Sequence, residues 1–165
     1  MLRSVLLLAG LLVSIQGATE KTPSILGFRL LNLDSAEVES LQQFKGKPTL
    51  MTFFQPDCNW CLRQFRVLNR LHQRCGTAIN LLAVGVNGNR RELKQELLRL
   101  RPGFSAYQAN AGLMESLGRM PATPFAIEAN AAGHFTGWTQ GYLPQQQLEA
   151  ALTTLPEQCR TSPQE

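Results

Sequence analysis

In the stretch FFQPDCNWC, Phe53 to Cys61, two cysteines stand two residues apart. A C-x-x-C pair binds a metal, clamps a turn, or makes and breaks a disulfide in turnover. Turnover needs one sulfur as a thiolate, although a free thiol ionises only near ~8.5. The start of a helix supplies the missing field, because its first N–H groups are unpaired and its dipole favours negative charge. The flanking residues provide that setting. Thr49 to Phe54 (TLMTFF) are nearly all apolar and suit a strand buried on both faces. After the pair, Leu62, Phe65, Leu68 and Leu71 form an apolar stripe, Arg63, Arg66, Arg70 and Arg74 share a polar face, and Gly76 ends the helix. Cys58 therefore stands where a strand gives way to a helix. Cys61 follows one turn later on the same side, where it can attack a mixed disulfide at Cys58 and release the partner. A structural disulfide without turnover is the competing reading of the same two residues.

The first residues bear on compartment. Arg3 precedes Val5 to Val13 (VLLLAGLLV), which no polar side chain interrupts, and small or polar residues follow at Ser14, Gln16, Gly17 and Ala18. This is the pattern of a secretory signal over residues 1–17, with cleavage after Gly17 or Ala18. The apolar run is short of the ~20 residues that span a bilayer, and an uncleaved anchor is the alternative. The expectation is an exported, periplasmic protein with one domain over residues 18–160 and a frayed tail over 161–165. The formal charge of +4 favours acidic partners weakly. With no aromatic and basic interleaving and no phosphate-binding loop, nucleic acid is not an expected partner. Export permits disulfides among the four cysteines, Cys58, Cys61, Cys75 and Cys159. Cys75 and Cys159 stand far apart and His72 and His134 do not cluster, so no zinc site and no cofactor are expected.

Along the chain, Ile25 to Asp34 reads as a short β stretch, and Ser35 to Phe44 as a helix with Val38, Leu41 and Gln42 at helical spacing and Ser35 as N-cap. Ile79 to Val86 is a second buried strand. Arg90 to Arg101 is a helix with Leu93, Leu97 and Leu100 inward. A short strand near Phe104 to Gln108 and a helix near Leu113 to Leu117 come next. A hairpin turning around Asn130 to Gly133 and a closing helix over Pro144 to Leu155 finish the pattern. Such alternation predicts an α/β fold with helices on both faces of the sheet.

On these residues the chain resembles the thioredoxin superfamily, and within it the exported TlpA-like or cytochrome c maturation type. PTLMTFFQPDCNWC resembles the family's strand leading into its active site, and AGLMESLGRMPATPFAIEANAAGHF resembles its later segment, where a cis-proline precedes a strand and hairpin. The resemblance covers roughly residues 25–155. It implies a thioredoxin-like fold with a central mixed sheet and a C-terminal β-hairpin plus helix. It also implies Cys58 as nucleophile, Cys61 as resolving cysteine, and a cis-proline facing them at Pro124, with Pro121 the alternative. Thr123 would then hold an extended substrate segment, and Trp60 either touches the partner or shields Cys61. An oxidase of the DsbA type would need a larger helical insertion, and the threonine of a peroxidase site is replaced by Gln55.

The sequence departs from the family at several places. Thr52 and Gln64 stand where relatives carry titratable carboxylates, which leaves Glu128 or water as the proton acceptor for Cys61. Asp57 replaces a tryptophan before the nucleophile; it would serve as N-cap, while its charge opposes thiolate formation. If the fold holds, the helices ending near Cys75 and Cys159 share a sheet face, and the two cysteines form a structural disulfide. The expected function is an exported thiol–disulfide oxidoreductase, more a reductase than an oxidase. Its partners would be disulfide-bearing exported proteins and a membrane thiol donor, and the chain would be a monomer. The alternatives are a copper-binding chaperone using His134 with the cysteine pair, and a non-catalytic interaction domain with structural disulfides.

Overall fold

The computed structural model describes residues 24–160. The expected signal segment and tail, residues 1–17 and 161–165, lie outside the described residues. Seven strands form one mixed sheet: β1 (Arg29–Asn32), β2 (Val38–Ser40), β3 (Thr49–Phe54), β4 (Asn80–Gly85), β5 (Ala106–Gln108), β6 (Phe125–Ala129) and β7 (Phe135–Gln140), in the order β2-β1-β5-β4-β3-β6-β7. Four helices accompany them: α1 (Asn59–Cys75), α2 (Arg90–Leu100), α3 (Ala111–Leu117) and α4 (Gln145–Ala151). This is the α/β architecture with helices on both faces that the sequence pattern predicts. Among the described residues, no helix is long and apolar enough to cross a membrane.

All six residues of β3 are buried, as befits a strand with neighbours on both edges and helices on both faces. Leu50 and Phe54 join Phe65, Leu68 and Leu148 in the core beneath α1 and α4. Met51 and Phe53 join Val84, Leu113 and Ile127 in the core on the α3 side. Strand β3 runs parallel to β4 and antiparallel to β6, with Phe53 opposite Phe125. That register decides where the site lies. The residues that follow Phe54 and those that precede Phe125 emerge at the same end of the sheet.

The expected helix over Ser35–Phe44 is overturned. The Asn32 side chain accepts the backbone N–H groups of Asp34 and Ser35 at 2.8 and 3.2 Å, and Ala36 takes a positive φ of 65°. The chain reverses there and returns as β2, paired antiparallel to β1. Only Leu41–Phe44 is helical, as a short 3₁₀ turn capped by Ser40 rather than Ser35. The apparent apolar stripe was false: Leu41 is fully buried, but Val38 is exposed. What holds β2 in place is a polar cluster. The buried Tyr107 hydroxyl donates to Glu39 Oε2 at 2.8 Å, which holds the Glu39 carboxyl below its ordinary value. Burial, then Glu39, push the Tyr107 phenol above its own. The closing helix is also shorter than predicted, because Thr153 and Thr154 leave helical pairing to bind Glu128.

Candidate active site

The chain reverses direction between the end of β3 and the start of α1, and Cys58 occupies the N-cap of that helix. Its Sγ accepts the Cys61 backbone N–H at 3.1 Å, so a helix-initiating donor points at sulfur. Phe54 packs edge-on against Phe65 with ring centroids 5.8 Å apart, which fixes α1 to the strand that feeds it. Cys58 and Cys61 are joined as a disulfide, with Cα atoms 5.2 Å apart. Cys58 retains 8% exposure and Cys61 none. An incoming group therefore meets the Cys58 sulfur first.

The start of β6 supplies the opposite wall. The Thr123–Pro124 peptide bond is cis, and the Thr123 hydroxyl donates to Cys58 Sγ at 3.4 Å. The structure thus brings Cys58, Cys61, Thr123 and Pro124 together, and the cis bond is at Pro124 rather than Pro121. Trp60 lies at the rim, 54% exposed. Its ring stacks on Tyr142 with centroids 6.0 Å apart, and the Arg63 guanidinium lies 4.7 Å over it. On the α3 side, Met120, Pro121, Phe125 and Trp138 line an apolar groove of about 440 Å³.

Two expectations for the surroundings are corrected. Asp57 is not the N-cap; it takes a left-handed backbone with φ of 57°, and its exposed carboxylate lies 3.9 Å from Arg99. Capping passes to the sulfur because the chain turns one residue later than the polar spacing suggests. Glu128 is not beside Cys61. It sits opposite Leu50, towards the other end of β3 from the active site, and both its oxygens are taken by Thr153 and Thr154. Beneath the cysteines, buried Gln64 and Thr52 line a small cavity with Pro124. The Gln64 Oε1 accepts the Leu143 backbone N–H at 2.7 Å.

Elsewhere, Cys75 at the end of α1 is joined to Cys159, with Cα atoms 5.7 Å apart. His134 lies at the turn of the hairpin, where its backbone N–H reaches Asn130 Oδ1. The hairpin end that meets the cysteines is the other one, at Phe125 and Gln140, so no copper site joins His134 to the pair. Among the described residues, no group of three or more His, Cys, Asp or Glu side chains is placed to hold a metal ion. Reading the sequence missed Glu96, a carboxylate buried against the active-site loop. Its signal was its place three residues after Leu93 and four before Leu100, on the inward stripe of α2.

The sheet order, the helix-capping disulfide and the facing cis-proline define a thioredoxin-like fold. Its solved neighbours are thiol–disulfide oxidoreductases. A secreted Mycobacterium tuberculosis disulfide oxidoreductase homologous to E. coli DsbE is similar with a TM-score of 0.66 and 17% identity, over 79% of this chain and 98% of that one. A thioredoxin-family thiol:disulfide interchange protein from Chlorobium tepidum is similar with a TM-score of 0.68 and 14% identity, over 82% and 97%. StoA from Bacillus subtilis is similar with a TM-score of 0.60 and 16% identity, over 78% and 98%. At these identities the likeness establishes the fold. No protein-family model and no curated protein matches the sequence.

Proposed function

We propose that this chain is an exported thiol–disulfide oxidoreductase that reduces disulfides in other exported proteins. One observation carries the reading: a disulfide caps a helix, with one sulfur reachable beneath a threonine hydroxyl and the other enclosed. In the reduced protein, Cys58 is the sulfur that the helix N-terminus favours as a thiolate. It attacks one sulfur of the partner disulfide, that S–S bond breaks, and the displaced partner sulfur takes up a proton. Cys61 then gives up its proton to solvent and attacks the Cys58 sulfur, which frees the second partner thiol. Two electrons pass to the partner, and the Cys58–Cys61 disulfide remains. A membrane thiol donor restores the dithiol. Gln64 and Thr52 do not titrate, so proton transfer from Cys61 relies on water. The backbone of Thr123 lies beside Cys58 at the start of an antiparallel strand, the position from which an extended partner segment can pair. The nearby apolar groove accepts the side chains of that segment.

A Cys61→Ser variant should trap the intermediate, since the serine hydroxyl cannot displace the partner from Cys58. A reduced Cys61→Ser protein mixed with an oxidised extracytoplasmic extract should give covalent adducts that thiols release, and Cys58→Ser should give none. Titration of the wild-type couple against glutathione buffers should place it well on the reducing side. Absence of adducts would overturn the activity, and a strongly oxidising couple would reverse the direction.

Trp60→Ala should raise KM for a protein disulfide by about tenfold, as loss of a contact tryptophan does. Stability should fall by only about 1 kcal/mol, the size of the lost Tyr142 stack and Arg63 contact at an exposed rim. Melting curves and steady-state kinetics check both.

A further inference from the structure

The active-site turn is held by α2 and the loop that precedes it. The Asn87 amide donates to Gln55 Oε1 at 3.0 Å. Pro56 packs so closely on Gly88 that a Cβ there would lie 2.8 Å from its Cγ. The Asp57 backbone N–H donates to Glu96 Oε2 at 3.3 Å, and Arg99 reaches the same oxygen at 2.8 Å. The second guanidinium nitrogen of Arg99 donates to Asn59 Oδ1 at 3.1 Å, and its first lies 3.9 Å from Asp57 Oδ1. One ion pair on α2 therefore grips the residues before and after Cys58.

The grip has work to do. Asp57 is a non-glycine residue in the left-handed region, which costs about 1–2 kcal/mol and persists only where neighbours impose it. The Glu96 side chain is 3% exposed, and its other oxygen, Oε1, has no partner among the described residues. A buried carboxylate on an apolar stripe is costly to maintain for stability alone.

We propose that Glu96 and Arg99 are positioning residues. They hold the Asp57–Asn59 turn so that the Cys58 sulfur, and not the Asp57 carboxylate, caps α1, and Arg99 offsets the charge of Asp57 beside the nucleophile. This rests on the reading of Cys58 as the nucleophile. The pair touches neither sulfur; it acts through the turn.

The test is the rate at which Cys58 of the reduced full-length protein is alkylated by iodoacetamide, followed from pH 5 to 9 by peptide mapping. Thermal melts establish that each variant is folded. Glu96→Leu removes the acceptor for Asp57 N–H and should slow Cys58 alkylation near pH 6.5 by about tenfold, with the profile moved to higher pH. Glu96→Gln keeps an oxygen towards that N–H and should remain within about twofold of wild type. Arg99→Leu, at a half-exposed position, should slow the reaction like Glu96→Leu and is decisive where Glu96→Leu fails to fold. Equal profiles for wild type and Arg99→Leu, or equal slowing by Glu96→Gln and Glu96→Leu, would overturn the assignment. A wild-type Cys58 that reacts like a free cysteine would instead remove the proposed nucleophile, a separate outcome seen before any variant is compared.

Discussion

A Cys75→Ala/Cys159→Ala variant is expected to unfold about 10–15 °C below the parent protein. Linking residues 84 apart removes about 4.5 kcal/mol of loop-closure freedom from the unfolded chain in the chain-entropy model, and a domain of this size loses about 2–4 °C per kcal/mol. The bridge ties the end of α1 to the 3₁₀ turn Glu157–Cys159, and it has help. Arg74 pairs with Glu149 at 2.6 Å and donates to the Cys159 carbonyl at 2.9 Å. Arg160 donates to the Leu152 carbonyl at 2.9 Å and also to the Glu149 carbonyl. These contacts anchor the segment in the folded state but do not restrict the unfolded chain, so the variant should fold to the same structure with reduced stability. Denaturant melts of parent and variant, read as a change of midpoint at constant slope, check the size. A difference below about 1 kcal/mol would mean that the unfolded chain is already compact around this link. Cys75 and Cys159 are 2% and 1% exposed, against 8% for Cys58. Mild dithiol should therefore open Cys58–Cys61 and leave Cys75–Cys159 closed, as non-reducing peptide maps will show.

Replacing Glu128 should be comparably damaging, far from any sulfur. Its carboxylate is buried on β6 and accepts two backbone N–H and two hydroxyl donors from Thr153 and Thr154, at 2.6 to 3.0 Å. Burial by itself would raise its pKa. The four donors outweigh burial and hold it below the ordinary carboxylate value. Glutamine keeps one accepting oxygen but turns an NH₂ group towards donors, so Glu128→Gln should lose about 3 kcal/mol at pH 7. Because the folded-state value is depressed, the carboxylate contributes its full stability above its unfolded value of ~4.3, and the contribution disappears as pH falls through the folded value. The gap between wild type and Glu128→Gln should accordingly be widest at neutral pH and should narrow below about pH 4. Urea melts at pH 7, 5 and 3.5 test this. A gap independent of pH would show that glutamine fails for reasons of packing rather than charge.

Local patterns carried much of the architecture. Strands β3 and β4 were legible because buried strands read as continuous apolar runs, and α1 because its stripe repeats at helical spacing. The start of α1 at the cysteine pair follows from those two periods meeting at Cys58. The region of residues 35–44 was misread, since Val38 and Leu41 fit a helical period by coincidence. Only the Asn32 side chain and the pairing of β2 with β1 reveal a hairpin there.

What tertiary structure alone decided are relations between residues distant in sequence. The placement of Thr123 against Cys58, 65 residues away, follows from the antiparallel register of β3 and β6. The assignment of Glu128 to a threonine clasp instead of proton transfer follows from the same register, read three residues on from Phe125. Glu96 carries no mark in sequence beyond its place between two inward leucines; its contact with the Asp57 N–H exists only once α2 is laid beside the active-site loop. Periodicity records which face of an element is apolar. It does not record which element that face will meet, and at this site the meeting places the threonine hydroxyl beside Cys58 and the carboxylate behind Asp57.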